Sequence, residues 1–293
     1  MNTRKRVFVT GASSELLLQV LSKVDKNEFE IIGLTRSQHP SCKDSISWVR
    51  GDIQEPESYK HIIAGCSIII HAAAVTHSRD EAQYFKTNVD GTRKLIQSIP
   101  KGVNPRFVFI SSRVAGENSG AYGVSKLRAE QEVQQHGNWM IIRPSEIFGG
   151  SKNEGIEKMI LSGIKGGIQL APVGLKSKMF PIHLSDSAEV IYKSVFVDEE
   201  KNCVIQLNGK KGYSFKELLL LIQNVAGSKM FIVPIPKWTL QLVAFAAKII
   251  PIDIGFVPDQ VNRLYAEKEH GVGIKNCIEL EDYIRQKTAT MNT

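Results

Sequence analysis

The length, charge and cysteine content of the chain limit the kind of protein it can be. A chain of 293 residues fits one large α/β domain, or a nucleotide-binding domain with a smaller second lobe. The net charge is +7, but the basic residues are spread along the chain and accompany no RNA- or DNA-binding motif, so nucleic-acid binding is not expected. No CxxC pair is present, which argues against a zinc or other metal site and against a disulfide framework. We expect unpaired thiols in a reducing cytosol at Cys42, Cys66, Cys203 and Cys277.

Two segments bear on secretion and membranes. The apolar run Val7–Val9 lies almost directly after the amino terminus, without a longer hydrophobic stretch before it, so no secretory signal is expected. The apolar segment from Trp238 to Ile250 is shorter than the about 20 residues that a helix needs to cross a bilayer. We therefore expect a cytoplasmic protein without stable membrane insertion. The segment is expected to form a core or interface helix, and a helix lying on a membrane surface is the alternative.

Short β-branched runs alternate with helical patterns through the first half of the chain. Helical spacing is clear after the first run, where apolar residues recur from Leu16 to Val24. Such alternation predicts an α/β fold with a doubly wound parallel sheet, in which ligands bind at the carboxyl ends of the strands. The predicted strands are Val7–Thr10, Glu30–Leu34, Ser45–Val49, Ser67–His71, Arg106–Ile110 and Trp139–Ile142.

The alternation weakens at about residue 151. Glycines and prolines between 163 and 174 predict irregular structure. We place a dinucleotide-binding domain at residues 1–150 and a smaller, mostly helical substrate-binding lobe at 151–180 and 209–293. Residues 181–208, with a strand predicted at Cys203–Leu207, return to the first domain. Ser214 and Glu217 have the spacing of a capping box, and the helix that they open is expected to end at Gly227.

The turn after the first predicted strand is a candidate phosphate-binding turn. Such turns use glycines where the backbone bends tightly, approaches the pyrophosphate and packs the helix on the strand. Only the first glycine is present, and an ordinary strand-to-helix turn capped by Ser13 or Ser14 remains the alternative. A carboxylate at Glu15 would repel the pyrophosphate unless it turned away. The residues assigned to cofactor binding in this turn are Gly11, Ser13, Ser14, Glu15 and Leu16.

Residues after the next three predicted strands also fit a dinucleotide cofactor. Arg36 stands where a ribose-binding acid would lie in an NAD enzyme, and an arginine there favours NADP over NAD because it can pair with a 2′-phosphate; a solvated loop arginine is the alternative. Asp52, followed by Ile53, is placed to accept from the adenine amino group. Small side chains at Ala72, Ala73 and Ala74 would let a flat ligand lie against the backbone.

The strongest chemical signal is Ser111 followed by Tyr122-Gly-Val-Ser-Lys126. The spacing places the phenol and the ammonium one helical turn apart, and a nearby ammonium favours the phenolate. Tyr122 could then take a proton from a hydroxyl as hydride leaves, or return it to a ketone, while Ser111 hydrogen-bonds the reacting oxygen. The same spacing recurs at Tyr283 and Lys287, without an upstream serine strand, and there it is interpreted as a solvated helix face.

Together these segments resemble the extended branch of the short-chain dehydrogenase/reductase superfamily. The matching segments are Thr10–Ala12, Gly51–Ile53, Ile70–Ala73, Asn88–Thr92, Phe109–Ser112, Tyr122–Lys126, Arg143–Pro144 and Pro181–Asp186. The resemblance implies a Rossmann-type fold, an NAD or NADP cofactor and catalysis by Ser111, Tyr122 and Lys126. It further implies that Lys126 and Tyr122 contact the cofactor, that Asn88 braces the catalytic helix, and that Pro144 lies beside the nicotinamide.

Within that branch, residues 71–149 are most similar to nucleotide-sugar epimerases and 4-keto-reductases. This likeness implies a nucleotide-sugar substrate and a homodimer packed through the helices around Thr92 and Tyr122. A catalytically silent nucleotide-binding or scaffold protein with the same fold remains the alternative, as does a reductase of another small carbonyl compound. The substrate contacts that the resemblance implies are His77, Ser112, Arg113, Ser145, Pro172 and Lys178.

Overall fold

The computed structural model of the chain describes residues 4–37, 46–249 and 258–292. The chain divides into two compact units. Unit 1 comprises residues 1–117, 121–143 and 188–205, and unit 2 comprises 118–120, 144–187 and 206–293. The assignment of substrate binding to the second part of the chain stays a prediction.

Unit 1 is built on a seven-stranded sheet. The strands are β1 Lys5–Thr10, β2 Phe29–Thr35, β3 Ser47–Arg50, β4 Ile68–His71, β5 Arg106–Ile110, β6 Trp139–Pro144 and β10 Cys203–Leu207. Their order across the sheet is β10-β6-β5-β4-β1-β2-β3, and the pairings from β3 through β6 are parallel. The chain order reverses between β1 and β4, which is the point where such sheets bind ligands. The predicted Rossmann-type doubly wound sheet is confirmed.

Helices follow most of these strands. They are α1 Glu15–Leu21, α2 Lys60–Ile63, α3 Ala82–Tyr84, α4 Gly91–Gln97, α5 Gly120–Gln134 and α7 Leu184–Phe196, with a π-helical stretch at Phe85–Asp90 and a 3₁₀ turn at Pro56–Ser58. Alternate strand residues point to opposite faces of a sheet. On β1, Phe8 packs in a cluster with Ile63 of α2, Leu95 of α4 and Val133 of α5, whereas Val9 points to the other face and is also buried.

The predicted strands agree with those in the structure to within two residues at each end among the described positions. Arg106–Ile110 and Cys203–Leu207 have the predicted bounds. Ser45 and Cys42 lie outside the described residues. The described cysteines are unpaired thiols: Cys66, which is buried, and the half-buried Cys203 and Cys277.

Unit 2 contains more β-structure than the sequence predicts. Its strands are β7 Ile147–Phe148, β8 Gly167–Pro172, β9 Ile182–His183 and β11 Met230–Ile235, and its helices are α6 Gly155–Lys165, α8 Phe215–Ala226, α9 Lys237–Ile249, α10 Asp259–Tyr265 and α11 Leu280–Asn292. The prediction of irregular structure between 163 and 174 is wrong for β8. That strand pairs in parallel with β11, a partner about 60 residues later, so local sequence could not reveal it.

The predicted ends of α8 are confirmed. Ser214 Oγ accepts from the Glu217 amide, and the Glu217 carboxylate accepts from the Ser214 amide, which completes the capping box. Gly227 ends the helix in the left-handed conformation, at φ 65°. In the core of this unit, Leu218 and Ile222 of α8 pack with Ile160 of α6.

Two further predictions concern helices of unit 2. The interpretation of Tyr283 as part of a solvated face is wrong, because Tyr283 is buried and its hydroxyl donates to Glu157 Oε1 at 2.7 Å. The segment from Trp238 does form a helix, α9, and Ile250 lies outside the described residues. In this helix Ala244 is buried, whereas Trp238 is 64% exposed. Among the described residues, no helix has both the length and the hydropathy to cross a membrane.

Candidate active site

The turn between β1 and α1 depends on a glycine. Gly11 has φ +69°, and a Cβ placed on it would lie 2.7 Å from the Ala73 amide nitrogen. The backbone after β1 therefore passes directly against the backbone after β4, at the reversal point of the sheet. No other residue type fits there without a shift of the backbone.

The rest of this turn is organised by a serine instead of a second glycine. Ser14 is the N-cap of α1, and its Oγ accepts from the Leu17 amide at 3.4 Å. Ser13 and Ser14 are exposed, whereas Glu15 and Leu16 are half-buried. Leu17, at the position of the usual third glycine, is fully buried.

The other residues predicted to bind the cofactor follow β2, β3 and β4. Arg36 is exposed directly after β2, so its preference for NADP stays a prediction. Asp52 is half-buried, and its Oδ1 accepts from the Gln54 amide at 2.8 Å. Ile53 is buried in the core, so its backbone and not its side chain is left for a ligand. The half-buried residues Ala72, Ala73 and Ala74 follow β4 in a segment without regular secondary structure.

One face of α5 carries the predicted proton-transfer pair. Tyr122 and Lys126 are both buried, and the Lys126 Nζ donates to the Ile110 carbonyl at 2.9 Å and lies 4.0 Å from the centre of the Phe109 ring. These contacts fasten the helix to the carboxyl end of β5. Burial lowers the pKa of Lys126 to about 7, although the Glu130 carboxylate one turn later opposes this effect.

Glu130 extends this face by one further turn. Its buried carboxylate accepts from Arg143 Nε at 2.9 Å and from Arg143 Nη2 at 2.6 Å. It also accepts a hydrogen bond from the Ser111 hydroxyl. A serine has a single hydroxyl proton, so in this arrangement Ser111 can accept a hydrogen bond from a ligand but cannot donate one. The assignment of Ser111 to catalysis stays a prediction.

A buried chain of hydrogen bonds starts at Thr10, the last residue of β1. Thr92 Oγ1 donates to the Asn88 carbonyl at 2.6 Å, so it must accept from His71 Nε2 at 2.8 Å. Burial lowers the pKa of His71 to about 3, and the neutral ring therefore accepts at Nδ1 from Thr10 Oγ1 at 2.7 Å. Thr10 Oγ1 in turn accepts from the Ala73 amide at 3.2 Å.

Asn88 carries this chain on to α5. Its side-chain amide donates to Ser125 Oγ at 2.9 Å and to the Val75 carbonyl at 3.1 Å, and its Oδ1 accepts from the Val75 amide at 2.8 Å. Ser125 Oγ donates to the Tyr122 carbonyl at 2.7 Å. Asn88 thus braces the helix that carries the candidate proton-transfer pair, as the sequence resemblance implies.

The residues predicted to contact substrate are divided between the two units. In unit 1, His77 is exposed, Ser112 is half-buried and Arg113 is only 4% exposed. Unit 2 contains the rest: Pro144 (predicted to contact the nicotinamide) is buried, Ser145 and Pro172 are half-buried, and Lys178 is exposed with its Nζ 3.9 Å from the Glu217 carboxylate. Ser145 Oγ donates to the Phe180 carbonyl.

Comparison with known proteins decides the family. The model of the NAD-dependent epimerase/dehydratase family matches residues 7–196, about two thirds of the chain. The chain belongs to this family. The description of this family names NAD as the cofactor of its epimerases and dehydratases.

Individual members of the family are distant. An uncharacterized protein of Mycobacterium tuberculosis is 22% identical over 194 residues, which are 66% of this chain but only 20% of that protein. The chain thus spans about a fifth of the length of the first relatives it matches. The decarboxylating sterol-4-alpha-carboxylate 3-dehydrogenase of Dictyostelium discoideum is 26% identical over 273 residues, covering 74% of this chain and 80% of the relative.

Solved structures that are named as epimerases share the fold. The UDP-glucose 4-epimerase of Thermotoga maritima, solved with UDP-glucose, superposes with a TM-score of 0.65 at 17% identity, covering 89% of this chain and 97% of the other. A putative epimerase from Burkholderia cenocepacia gives a TM-score of 0.69 at 17% identity and covers 99% of both chains. At such identities the likeness concerns the fold.

The residues of unit 1 fit the dinucleotide of the epimerase/dehydratase family. The glycine at position 11 removes the one Cβ that would block the reversal point, and Ala72 to Ala74 place no bulk there. The Lys126 ammonium has three donors, of which the Ile110 carbonyl accepts one, so two are left for ribose hydroxyls. Leu17 departs from the family pattern by filling the third glycine position.

Sequence reasoning missed two residues of this site. Glu130 follows Tyr122 and Lys126 at the same spacing of four, and that periodicity could have placed it on their helix face. His71 lies within a segment used for the family resemblance, but no pattern in the sequence indicates its two threonine partners, which lie 61 and 21 residues away.

Proposed function

We propose that this enzyme transfers a hydride between NAD(P) and a nucleoside-diphosphate sugar, by 4-keto reduction or by epimerisation at C4, with Ser111, Tyr122 and Lys126 as the catalytic trio. The observation that carries the proposal is the attachment of a buried lysine, one turn after a tyrosine, to the end of the sheet strand that precedes it. Besides fastening α5 to β5, this lysine is an ammonium group buried at a cost in free energy, and such groups are concentrated at functional sites.

In this mechanism the side chains on one face of α5 transfer the proton. The bound nicotinamide supplies the hydride acceptor or donor. Tyr122 exchanges the proton with the sugar oxygen, and Lys126, when protonated, stabilises its phenolate. Because burial lowers the pKa of Lys126 to about 7, this ammonium can lose or gain its proton near neutral pH, and Glu130 nearby favours the charged form.

Two neighbouring serines are candidates for the hydrogen bond to the reacting oxygen. Ser111 has the position assigned by the family resemblance, but its proton is directed to Glu130. Ser112 Oγ accepts from the Val114 amide at 3.4 Å, an arrangement that leaves its own proton available to a ligand. If Ser111 is catalytic, its hydroxyl must turn from Glu130 when substrate binds.

A nucleotide sugar is favoured by the family and by charge. The Thermotoga epimerase that shares the fold was solved with UDP-glucose. The net charge of +7 suits a diphosphate substrate. Oxidation or reduction of a different, apolar carbonyl compound is the second candidate, because the Dictyostelium relative with 26% identity is named as a sterol dehydrogenase.

The experiment separates these functions by following the cofactor. Purified protein is incubated with NADH or NADPH and with UDP- and dTDP-linked 4-keto sugars, and absorbance of the reduced cofactor is recorded while products are separated by chromatography. A reductase consumes reduced cofactor stoichiometrically, whereas an epimerase interconverts two sugars with no net consumption. Turnover of a steroid ketone but of no nucleotide sugar would instead support the second candidate.

Matched variants assign the chemistry to α5. Tyr122→Phe should lower kcat by about 10²- to 10⁴-fold, because the phenol proton is lost. Tyr283→Phe makes the same change in the second copy of the motif and should leave kcat within a factor of about 3. Comparing Ser111→Ala with Ser112→Ala identifies the serine that matters. Unchanged turnover in Tyr122→Phe would refute the proposed mechanism and favour a silent nucleotide-binding protein.

A further inference from the structure

Unit 2 presents an open apolar sheet face. In the parallel pair of β8 and β11, Ile168 lies opposite Phe231 and Leu170 lies opposite Val233. Paired residues and residues two apart share a face, so these four side chains form one contiguous patch. They are 70%, 71%, 56% and 42% exposed, in that order. Soluble chains rarely leave such a set uncovered without a binding role.

The helix that follows this sheet is apolar on its outer side as well. A single residue, Pro236, separates β11 from α9. Trp238, Leu242 and Phe245 recur at helical spacing and are between 61% and 64% exposed. The opposite side of α9 is held on the protein by Ala244, which packs with Val261 and Tyr265 of the same unit. An ordinary surface helix would present polar residues at these outer positions.

The charge of the two segments that carry this surface has a single sign. Between Glu157 and Asp186, and again between Glu217 and Asp253, the sequence contains no aspartate or glutamate. Seven lysines lie within these intervals: Lys158, Lys165, Lys176, Lys178, Lys229, Lys237 and Lys248. Lys165 and Lys229 are exposed just before β8 and β11, and Lys237 is exposed at the start of α9. Carboxylates from outside these intervals pair with two of the lysines, Lys176 with Glu267 and Lys178 with Glu217. The charged residues within the two segments are nevertheless all basic.

From this combination we propose that the outer faces of the β8–β11 pair and of α9 bind the surface of an anionic phospholipid bilayer. Apolar and aromatic side chains would enter the boundary between headgroups and acyl chains, while lysines would meet anionic headgroups. A tryptophan and a lysine at the start of the helix suit this boundary, because each combines an apolar body with a polar end. A second copy of this chain fits less well, since a symmetric contact would bring the same lysines together.

Vesicle binding tests the proposal directly. The purified protein is sedimented with phosphatidylcholine vesicles, with or without about 30% phosphatidylglycerol. Trp238 is followed by the difference in fluorescence, and in quenching by brominated lipid, between the protein and Trp238→Phe. We expect binding to the anionic vesicles, a blue shift and quenching of Trp238, and weakening at about 1 M salt. Failure to bind anionic vesicles at low salt would overturn the proposal.

Surface variants show whether the named faces are responsible. The double change Leu242→Gln with Phe245→Gln should weaken vesicle binding at least about tenfold, and Ile168→Thr with Phe231→Thr should act in the same direction. Val272→Gln is the matched control, because Val272 is also in unit 2 and is 89% exposed. Circular dichroism verifies that each variant is folded.

Other occupants of these faces would give different results. A dimer that the α9 variant dissociates, with no vesicle binding by the monomer, would show that a second copy covers the surface and would refute the proposal. Saturable binding of a purified acidic protein in place of vesicles would do the same. Should the variants not fold, quenching of Trp238 in the unaltered protein decides the matter, since a tryptophan that stays unquenched on bound vesicles excludes α9 from the lipid.

Discussion

Replacing Lys126 by methionine should remove much of the pH dependence of stability of unit 1. Burial lowers the pKa of Lys126 from 10.5 to about 7, with Glu130 opposing the shift. Between these values the unfolded chain keeps a proton that the folded chain has released, so the free energy of unfolding rises with pH. The slope approaches about 1.36 kcal/mol per pH unit, and the rise from about pH 6 to pH 8.5 is about 2 kcal/mol. Measurements stop there because burial raises the pKa of Cys66 from 9.0 to about 11, which acts in the opposite direction.

Urea unfolding measured by tryptophan fluorescence tests this expectation. Trp48 and Trp139 are in unit 1 and Trp238 is in unit 2, so a Trp238→Phe background makes the signal report on unit 1. The unfolding free energy of the parent minus that of Lys126→Met should then increase steadily by about 2 kcal/mol from about pH 6 to pH 8.5. Lys287→Met, whose side chain is 35% exposed, is the control with the parental slope. Parallel curves for Lys126→Met and its parent would refute the claim that the buried ammonium carries this cost.

Three further substitutions test separate parts of the structure. Gly11→Ala should lower the unfolding free energy by about 1–3 kcal/mol and weaken NAD(P) binding in a fluorescence titration, because its Cβ would meet the Ala73 amide at 2.7 Å. Thr92→Val removes the acceptor for His71 Nε2 and should cost about 1–3 kcal/mol in thermal unfolding, whereas an unchanged melting temperature would disprove the hydrogen-bond chain. Ser214→Ala should cost about 1 kcal/mol by loss of the cap of α8, with no effect on cofactor affinity.

Local sequence patterns predicted the strands of unit 1 and the cap of α8, because these elements depend on residues that are close together in the sequence. The strands of unit 1 are β-branched runs bounded by turns, and the cap of α8 needs only two residues three apart, so both could be placed without tertiary knowledge. β8 could not, because it begins at Gly167 and ends at Pro172, and its stability comes from a distant partner strand. For the same reason the burial of Tyr283 was missed: its partner, Glu157, lies 126 residues earlier.

At the candidate site, the sequence could indicate residue types but not the direction of their protons. Ser111 and Tyr122 were assigned to one reacting oxygen, and the spacing of the motif is compatible with that role. Only the structure shows that Glu130 accepts the Ser111 proton while two nitrogens of Arg143 hold the same carboxylate. Ser111 can therefore donate to a substrate only if it gives up its hydrogen bond to Glu130, and the loss of that bond costs free energy.

The hydrogen-bond chain around His71 couples the turn between β1 and α1 to the helix α5. It connects the Ala73 amide, beside Gly11 in the turn between β1 and α1, to Asn88, and Asn88 holds the helix that carries Tyr122. Every hydroxyl in the chain has its single proton assigned, so the direction of donation is fixed only while the histidine is neutral. Protonating His71 would present a second N–H to Thr10 Oγ1 and reverse the donation there. Below about pH 6.5 the unfolded state gains this proton and the folded state does not, so stability must fall as the pH drops toward about 3. The turn between β1 and α1 and the helix α5 are therefore expected to lose their alignment together upon acidification, since one imidazole positions both.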